Sequence, residues 1–441
     1  MISNEADLLL SNKRLRKAKR RKNRFARRLR IEAKLASRHR TRFGDRSVII
    51  RMLAQANRHK VPDLGKSVDI VVPPVFSIIE DPTTAIQLVE KFAKVVRMYR
   101  VRSIRIDQSA LEQYDLAANA LLDLVATEIV VEGRYRDSKV GFSGAYPKNE
   151  SIKRFIRSMG IIKHLSVKHE GPSDNEVAKL RRFDKRNRHY HVKADPTKSD
   201  FKSRTVQGFV DHVDTCLGDH RRALTPRARH KLCEYIGEIL GNAEEHPGFV
   251  DWTIQGYLDN SLEDPICEIA IFNFGKSIAE TLKALPSGSY TRQQIDPYLK
   301  LHHGMSLFTP NWRQTDLLTL VALQGHVSSK NNSKDDTRGQ GTGDLIEFFQ
   351  KVHEECAADS PIKAKMAIVS GETYILFDGT YKMRESGGRG KVIAFNVSND
   401  LYSKPDPRYV KPLGLHFPGT IISIRFPLST TSTVALAGDK T

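Results

Sequence analysis

Residues 232–246 (Leu-Cys-Glu-Tyr-Ile-Gly-Glu-Ile-Leu-Gly-Asn-Ala-Glu-Glu-His) constrain this chain more than any other stretch. Leu232, Ile236, Ile239, Leu240 and Ala243 recur at helical spacing and make one apolar stripe. Glu234, Glu238, Asn242 and Glu245 gather on the opposite face, because residues four apart stand one turn above each other. Pro226 suits a first helical turn, and Pro247-Gly248 ends the helix. Such a stripe has to lie on a sheet or on other helices. Alone, the pattern also fits a surface helix with a solvated polar face.

Three later stretches give that helix a context. Residues 269–278 (Ile-Ala-Ile-Phe-Asn-Phe-Gly-Lys-Ser-Ile) read as a buried strand running into a turn. Residues 338–345 (Arg-Gly-Gln-Gly-Thr-Gly-Asp-Leu) read as a flexible loop that opens an apolar-periodic helix, and residues 419–427 as a strand after a glycine turn. In this order the motifs resemble the ATP-binding domain shared by gyrase, heat-shock chaperones, histidine kinases and mismatch-repair proteins, the GHKL or Bergerat-fold superfamily. Glu238, Asn242, Ala243 and His246 stand for its N box, and Asn273 to Ser277 for its first glycine box. Gly339, Gly341, Thr342 and Gly343 stand for its second glycine box, and Gly419-Thr420 for its final strand. The resemblance covers residues 205–428, about half of the chain.

The resemblance implies a two-layer α/β sandwich that binds ATP and magnesium. Asn242 would be the magnesium ligand, which suits an ion that takes oxygen donors and keeps several waters. Glu238, one turn earlier, would be the general base, catalytic in orienting or deprotonating the attacking water or hydroxyl. Asn273, Gly275 and Thr420 would sit near the base, and Arg338 with the second glycine box near the phosphates. Asn273 stands where the family has an aspartate that accepts the adenine amino hydrogen, a departure that implies looser base preference. Gly275 fits a backbone held close to the base, where a Cβ would clash. Ser277 replaces the second glycine of its box and can cap the following helix. His246 has a structural rather than catalytic reading. Residues 330–343 have the composition of a lid whose free N–H groups, with Lys330, Lys334 or Arg338, can meet phosphate oxygens.

Charge comes next. The chain has 441 residues, a net charge of +20 and 28% charged residues. Between Lys13 and Arg46 seventeen Lys and Arg face only Glu32 and Asp45, so most of the excess sits in one arm. Its apolar residues are too sparse for a core, leaving a basic helical or disordered arm. Lys17, Arg20, Arg21, Lys22, Arg24, Arg27 and Arg28 are its candidate contacts to a nucleic-acid phosphate backbone. A solubilising tail or an anionic membrane surface would suit the same residues. No apolar run approaches the ~20 residues of a membrane span, and Leu8-Leu9-Leu10 is too short for a signal peptide. Cys216, Cys233, Cys267 and Cys356 show no paired spacing, which argues for reduced thiols in a cytoplasmic protein and against structural zinc.

Residues 68–73 and 101–107 read as strands, and 83–98 and 116–127 as helices, which predicts a small α/β layer domain. Residues 104–109 and 114–118 resemble the centre of a STAS domain, the fold of anti-sigma-factor antagonists. The regulatory serine that this family carries after the aspartate is replaced here, since Leu116 and Ala117 follow Asp115. The resemblance therefore implies a docking version that binds a protein partner without a phosphorylation switch at that place. Residues 181–204, basic and without apolar periodicity, read as a linker.

The expected layout is an α/β (α+β) protein: a basic arm over 1–58, a STAS-like domain over 59–180, a linker over 181–204, a Bergerat-type ATP-binding domain over 205–430 and a tail over 431–441. The expected function is an intracellular Mg-dependent ATPase of GHKL type, a nucleotide-driven switch in a multi-component regulatory or phage-defence system. It would bind nucleic acid through the arm, with no membrane association and with homodimerisation open. The alternatives are a serine/threonine kinase of the anti-sigma type and a non-catalytic nucleic-acid-binding scaffold.

Overall fold

Strands that are apolar on both faces need cover on both sides, and two such strands set the architecture. They are β7 (Trp252–Asp259), buried throughout, and β8 (Ile266–Phe274), buried at all but two positions. In the computed structural model, which describes residues 47–57, 66–96, 101–135, 140–159, 178–187, 199–219, 223–224, 226–245, 251–262, 265–303, 312–324, 327, 341–356, 363–385 and 391–427, both lie inside a five-stranded sheet. The strand order is β6-β7-β8-β12-β9, with β6 Leu180–Asn187, β9 Lys365–Phe377 and β12 Val410–Pro427, and every neighbouring pair is antiparallel.

One face of this sheet carries Ile254, Cys267, Ile269, Ile271, Met366, Ile368, Ile422 and Ile424. These residues share a core with α5 (Ser199–Gly218), α6 (Pro226–Glu245), α7 (Ile278–Lys283), α8 (Tyr290–His303), α9 (Gln314–Ala322) and α10 (Gly341–Cys356). The other face carries Ala270, Phe272, Phe274, Val369, Tyr374, Phe417 and Ile421. It packs on an N-terminal α/β layer built from α1 (Val48–Ala56), α2 (Pro82–Val96), α3 (Leu116–Tyr135) and α4 (Glu150–Met159) around the parallel sheet β1-β3-β5. Here β1 is Ser67–Val71, β3 Ser103–Asp107 and β5 Gly141–Ala145, with a short parallel pair β2 (Val75–Phe76) and β4 (Gln113–Tyr114) beside them. A hairpin-like pair, β10 (Arg384–Glu385) and β11 (Lys391–Val392), completes the strands described.

The α/β class and the expected strand and helix sites near 68–73, 83–98, 101–107 and 116–127 are present. The layout differs in two places. Residues 47–57, assigned to the arm, hold α1, whose Ile49, Ile50 and Leu53 are buried in the core of the N-terminal layer. Ser47 caps it, and the Asn57 amide pairs with both backbone groups of His416 at 3.1 Å. Residues 180–187, assigned largely to the linker, are the edge strand β6. Its charges looked solvated in the sequence, yet they find partners on both sides. Arg181 pairs with Asp219, Arg182 donates to the Ser158 carbonyl, and Phe183 packs edge-on to Phe209. Arg186 forms ion pairs with Glu128 at 2.8 Å and Asp251 at 2.9 Å. Residues 188–198, the basic arm with Lys17, Arg20, Arg21, Lys22, Arg24, Arg27 and Arg28, and the 431–441 tail lie outside the described residues.

Asp115 acts as a structural anchor. Its carboxylate accepts from Ala118 N–H (2.8 Å), Ser77 Oγ (2.7 Å) and Ile79 N–H (2.9 Å), which ties the start of α3 to the turn after β2. No described helix is long and apolar enough to cross a membrane.

Candidate functional site

α6 begins at Pro226 and lays Leu232, Tyr235, Ile236, Leu240 and Ala243 into the core, with Ile239 half-buried beside them. Beneath its last turns four strands are in register. Trp252 is paired with Asn273, Asn273 with Thr420, and Thr420 with Ser370, so one row crosses β7, β8, β12 and β9. Side chains alternate across a strand. Ile254, Ile271, Ile422 and Ile368 stand two residues along each strand and face the helices. The row therefore faces the helices too, and apolar files that run the length of the sheet end there in a carboxamide and two hydroxyls.

A recess of about 100 Å³ opens at this end. Its walls are Ile239 and Ala243 of α6, Trp252, Leu323 and Ile278, and its floor includes Asn273 and Thr420. That is several times the ~10–15 Å³ that one water needs, so the recess suits a ring-sized apolar group. Lys276, exposed, is the one charged residue among the described residues lining it. Ser370 Oγ lies 2.8 Å from Thr420 Oγ1 and accepts from Ile278 N–H at 2.9 Å, which binds the start of α7 to the sheet. Ser277 caps α7 in a reciprocal box with Glu280. Trp252 Nε1 donates to Glu244 Oε1 at 3.1 Å, and Lys202 Nζ approaches Glu244 Oε2 at 3.4 Å, fixing the C-terminal end of α6 over the sheet.

Two glycines flank this row: Gly275 directly follows the end of β8, and Gly419 lies within β12. Gly419 has φ 141°, and a Cβ there would lie 2.0 Å from the Asn273 carbonyl oxygen. Gly275 has φ 134° and donates its N–H to the Pro418 carbonyl at 3.1 Å. Among the described residues, its two chain neighbours aside, nothing lies within 4 Å of the Cβ position at Gly275, and the left-handed backbone itself calls for glycine there.

Of the residues singled out in the sequence, Asn273 and Thr420 meet at one recess with Ala243, while Gly275, between the lining residues Asn273 and Lys276 in the chain, is outside its lining. Glu238 lies on α6, half-buried, one position before Ile239 and outside the lining of the recess. Asn242 is in the same helix, and its side chain lies outside the described residues. Gly341, Thr342 and Gly343 form the first turn of α10, which packs against α6, with Gly343 buried. Arg338, Gly339 and His246 lie outside the described residues. Sequence reasoning missed Trp252, Lys276 and Leu323 as parts of the recess. For Lys276 the signal was its place directly after Gly275, whereas Trp252 and Leu323 arrive through register and helix packing.

Among the described residues no group of three His, Cys, Asp or Glu side chains could hold a metal ion, and Cys216, Cys233 and Cys267 form no disulfide. Comparison of the chain with protein-family models, with curated proteins and with solved structures finds no match.

Proposed function

We propose that this protein binds ATP with magnesium at the recess between α6 and the Asn273–Thr420 end of the sheet, and works as a nucleotide-driven ATPase switch. One observation carries the reading: Ala243, Asn273 and Thr420, far apart in the chain, line a single recess with apolar walls and one cation, Lys276. Apolar walls with a few convergent polar groups are the usual character of a small-molecule site. The order helix, strand, glycine loop, helix and strand, from which the Bergerat-fold resemblance was drawn, supports the same assignment. In this reading the base enters beneath Ile239 and Ala243, and Lys276 neutralises phosphate charge. Asn242 holds the magnesium ion, and Glu238 orients the attacking water. Arg338, Gly339, Gly341, Thr342 and Gly343 belong to the phosphate end. The basic arm passes the nucleotide state to a nucleic acid and the N-terminal α/β layer passes it to a protein partner.

Calorimetry of the full chain with ATP and magnesium tests this. Wild type is expected to bind. Ala243→Trp, which fills the recess, should not bind, and Asn242→Ala should lose the magnesium-dependent part of the affinity. Glu238→Ala should bind and release no phosphate. A wild-type chain that neither binds nor turns over ATP removes the proposal. Label transferred to a protein instead of released as free phosphate would identify a serine/threonine kinase. For the arm, retention of a DNA duplex should weaken steeply with salt and vanish when residues 13–46 are deleted; retention by the deleted chain would sink that assignment.

A further inference from the structure

We propose that the recess takes guanine as well as adenine nucleotides, with no strong preference between 6-oxo and 6-amino purines. The inference rests on the nucleotide reading above and goes beyond it by naming the class of base. The two purines present opposite hydrogen-bonding polarity at the six position: adenine offers an amino donor and guanine a carbonyl acceptor. A site separates them when its own polar groups have a fixed sense, because the wrong base then leaves a buried group unpaired.

The side chains at this floor have no fixed sense. Asn273 carries both an acceptor oxygen and a donor NH2 group, and a half-turn about its last torsion exchanges them. Among the described residues its carboxamide has no hydrogen-bond partner to hold one orientation. The Gln324 amide shows what a pinned group looks like here: it donates to the Leu320 and Ile393 carbonyls (2.7 and 3.1 Å) and accepts from Ile393 N–H (3.0 Å). Thr420 is equally ambivalent. Its hydroxyl pairs with Ser370 Oγ at 2.8 Å, and either oxygen can be the donor. Ser370 has a second acceptor, the Gly419 carbonyl at 3.5 Å. When Ser370 donates to Gly419, Thr420 donates to Ser370 and presents lone pairs to the recess. When Ser370 donates to Thr420, the Thr420 proton is free to point into the recess. Among the described residues no carboxylate lines the recess to impose an acceptor, and the one charged lining group, Lys276, is exposed.

The experiment is calorimetric titration of the full chain with ATP and with GTP, each with magnesium, for wild type and Asn273→Asp. Wild-type dissociation constants are expected within about tenfold of each other. Asp accepts only, so Asn273→Asp should favour ATP over GTP by at least about tenfold more than wild type. If that variant does not fold, as judged by its thermal transition, Thr420→Val should weaken both nucleotides by a similar factor. A wild-type preference for either nucleotide beyond about tenfold overturns this inference and leaves the nucleotide reading standing. Binding of neither nucleotide overturns both. An Asn273→Asp variant that folds with an unchanged ratio, or a Thr420→Val variant that loses only one nucleotide, also overturns it.

Discussion

At the scale of single residues, the contacts that join the layers are buried ionisable groups, and their energetics follow from burial. Arg186 bridges Glu128 and Asp251, each 1% exposed. Removing the guanidinium takes a counter-charge from two buried carboxylates, so Arg186→Ala should cost about 3–5 kcal/mol in urea unfolding. A loss below about 1 kcal/mol would show that water reaches the pair.

Glu268 accepts from Leu116 N–H at 2.6 Å at the start of α3. Burial pushes its carboxyl up to about 7, with Arg425 opposing the rise and Asp115 adding to it. Burial likewise pushes Glu90 up to about 7. The folded value lies above the ordinary 4.5, so the folded chain keeps a proton that the unfolded chain gives up. The stabilising contribution is therefore full below pH 4.5 and is lost as pH rises through about 7, at most about 3 kcal/mol for Glu268. Asp406, held down to about 2 chiefly by hydrogen bonds from Arg408, acts with opposite sign and at lower pH. Glu268→Gln keeps an acceptor for Leu116 and should flatten the decline between pH 5 and pH 8. Equal slopes for wild type and variant in urea unfolding at those two pH values would refute this.

At the scale of elements, β12 shows why turn chemistry is legible in sequence and partnership is not. The strand runs for 18 residues and changes register against β9 between Pro412 and Thr420. Glycines at 414 and 419 serve that stretch differently. Gly414 has φ 79° with open space at its Cβ position, so Gly414→Ala should cost only about 1–2 kcal/mol of left-handed strain. Gly419→Ala adds a collision with the Asn273 carbonyl and should cost about 3 kcal/mol or more, with loss of the recess. Equal costs for the two, read from their urea midpoints, would argue against the close approach of β8 and β12. The second half of β12, residues 419–427, was readable because an Ile-rich run after Gly-Thr is a local pattern, whereas residues 410–418 of the same strand were not read. β6 was hidden because Arg181, Arg182 and Arg186 look solvated until Asp219, Ser158, Glu128 and Asp251 arrive from other elements. α1 was hidden by its place beside the basic run, although Ile49, Ile50 and Leu53 keep helical spacing.

At the scale of the whole molecule, the central sheet is shared. Helices α5–α10 cover one face, and the N-terminal layer covers Phe272, Phe274, Val369 and Phe417 on the other. Tyr374 Oη donates to the Ile79 carbonyl at 2.5 Å and Thr83 Oγ1 to the Leu413 carbonyl at 2.8 Å across that junction. The described layers should therefore unfold in one cooperative transition, and a fragment starting at residue 178 should be insoluble because it bares that aromatic face. Two separated calorimetric transitions, or a soluble folded fragment, would contradict this.

What the amino-acid order determined by itself was local. The stripe of α6, the glycine turn at 275, the cap at Ser277 and the types of most strands and helices follow from periodicity and backbone conformation, which need only near neighbours; the turn expected at Gly419 is instead the interior of β12. What only the tertiary structure decided was alignment and cover. Trp252, Asn273, Thr420 and Ser370 form one row because strand register couples distant residues, and the sheet has two covered faces because its apolar strands had to be buried on both.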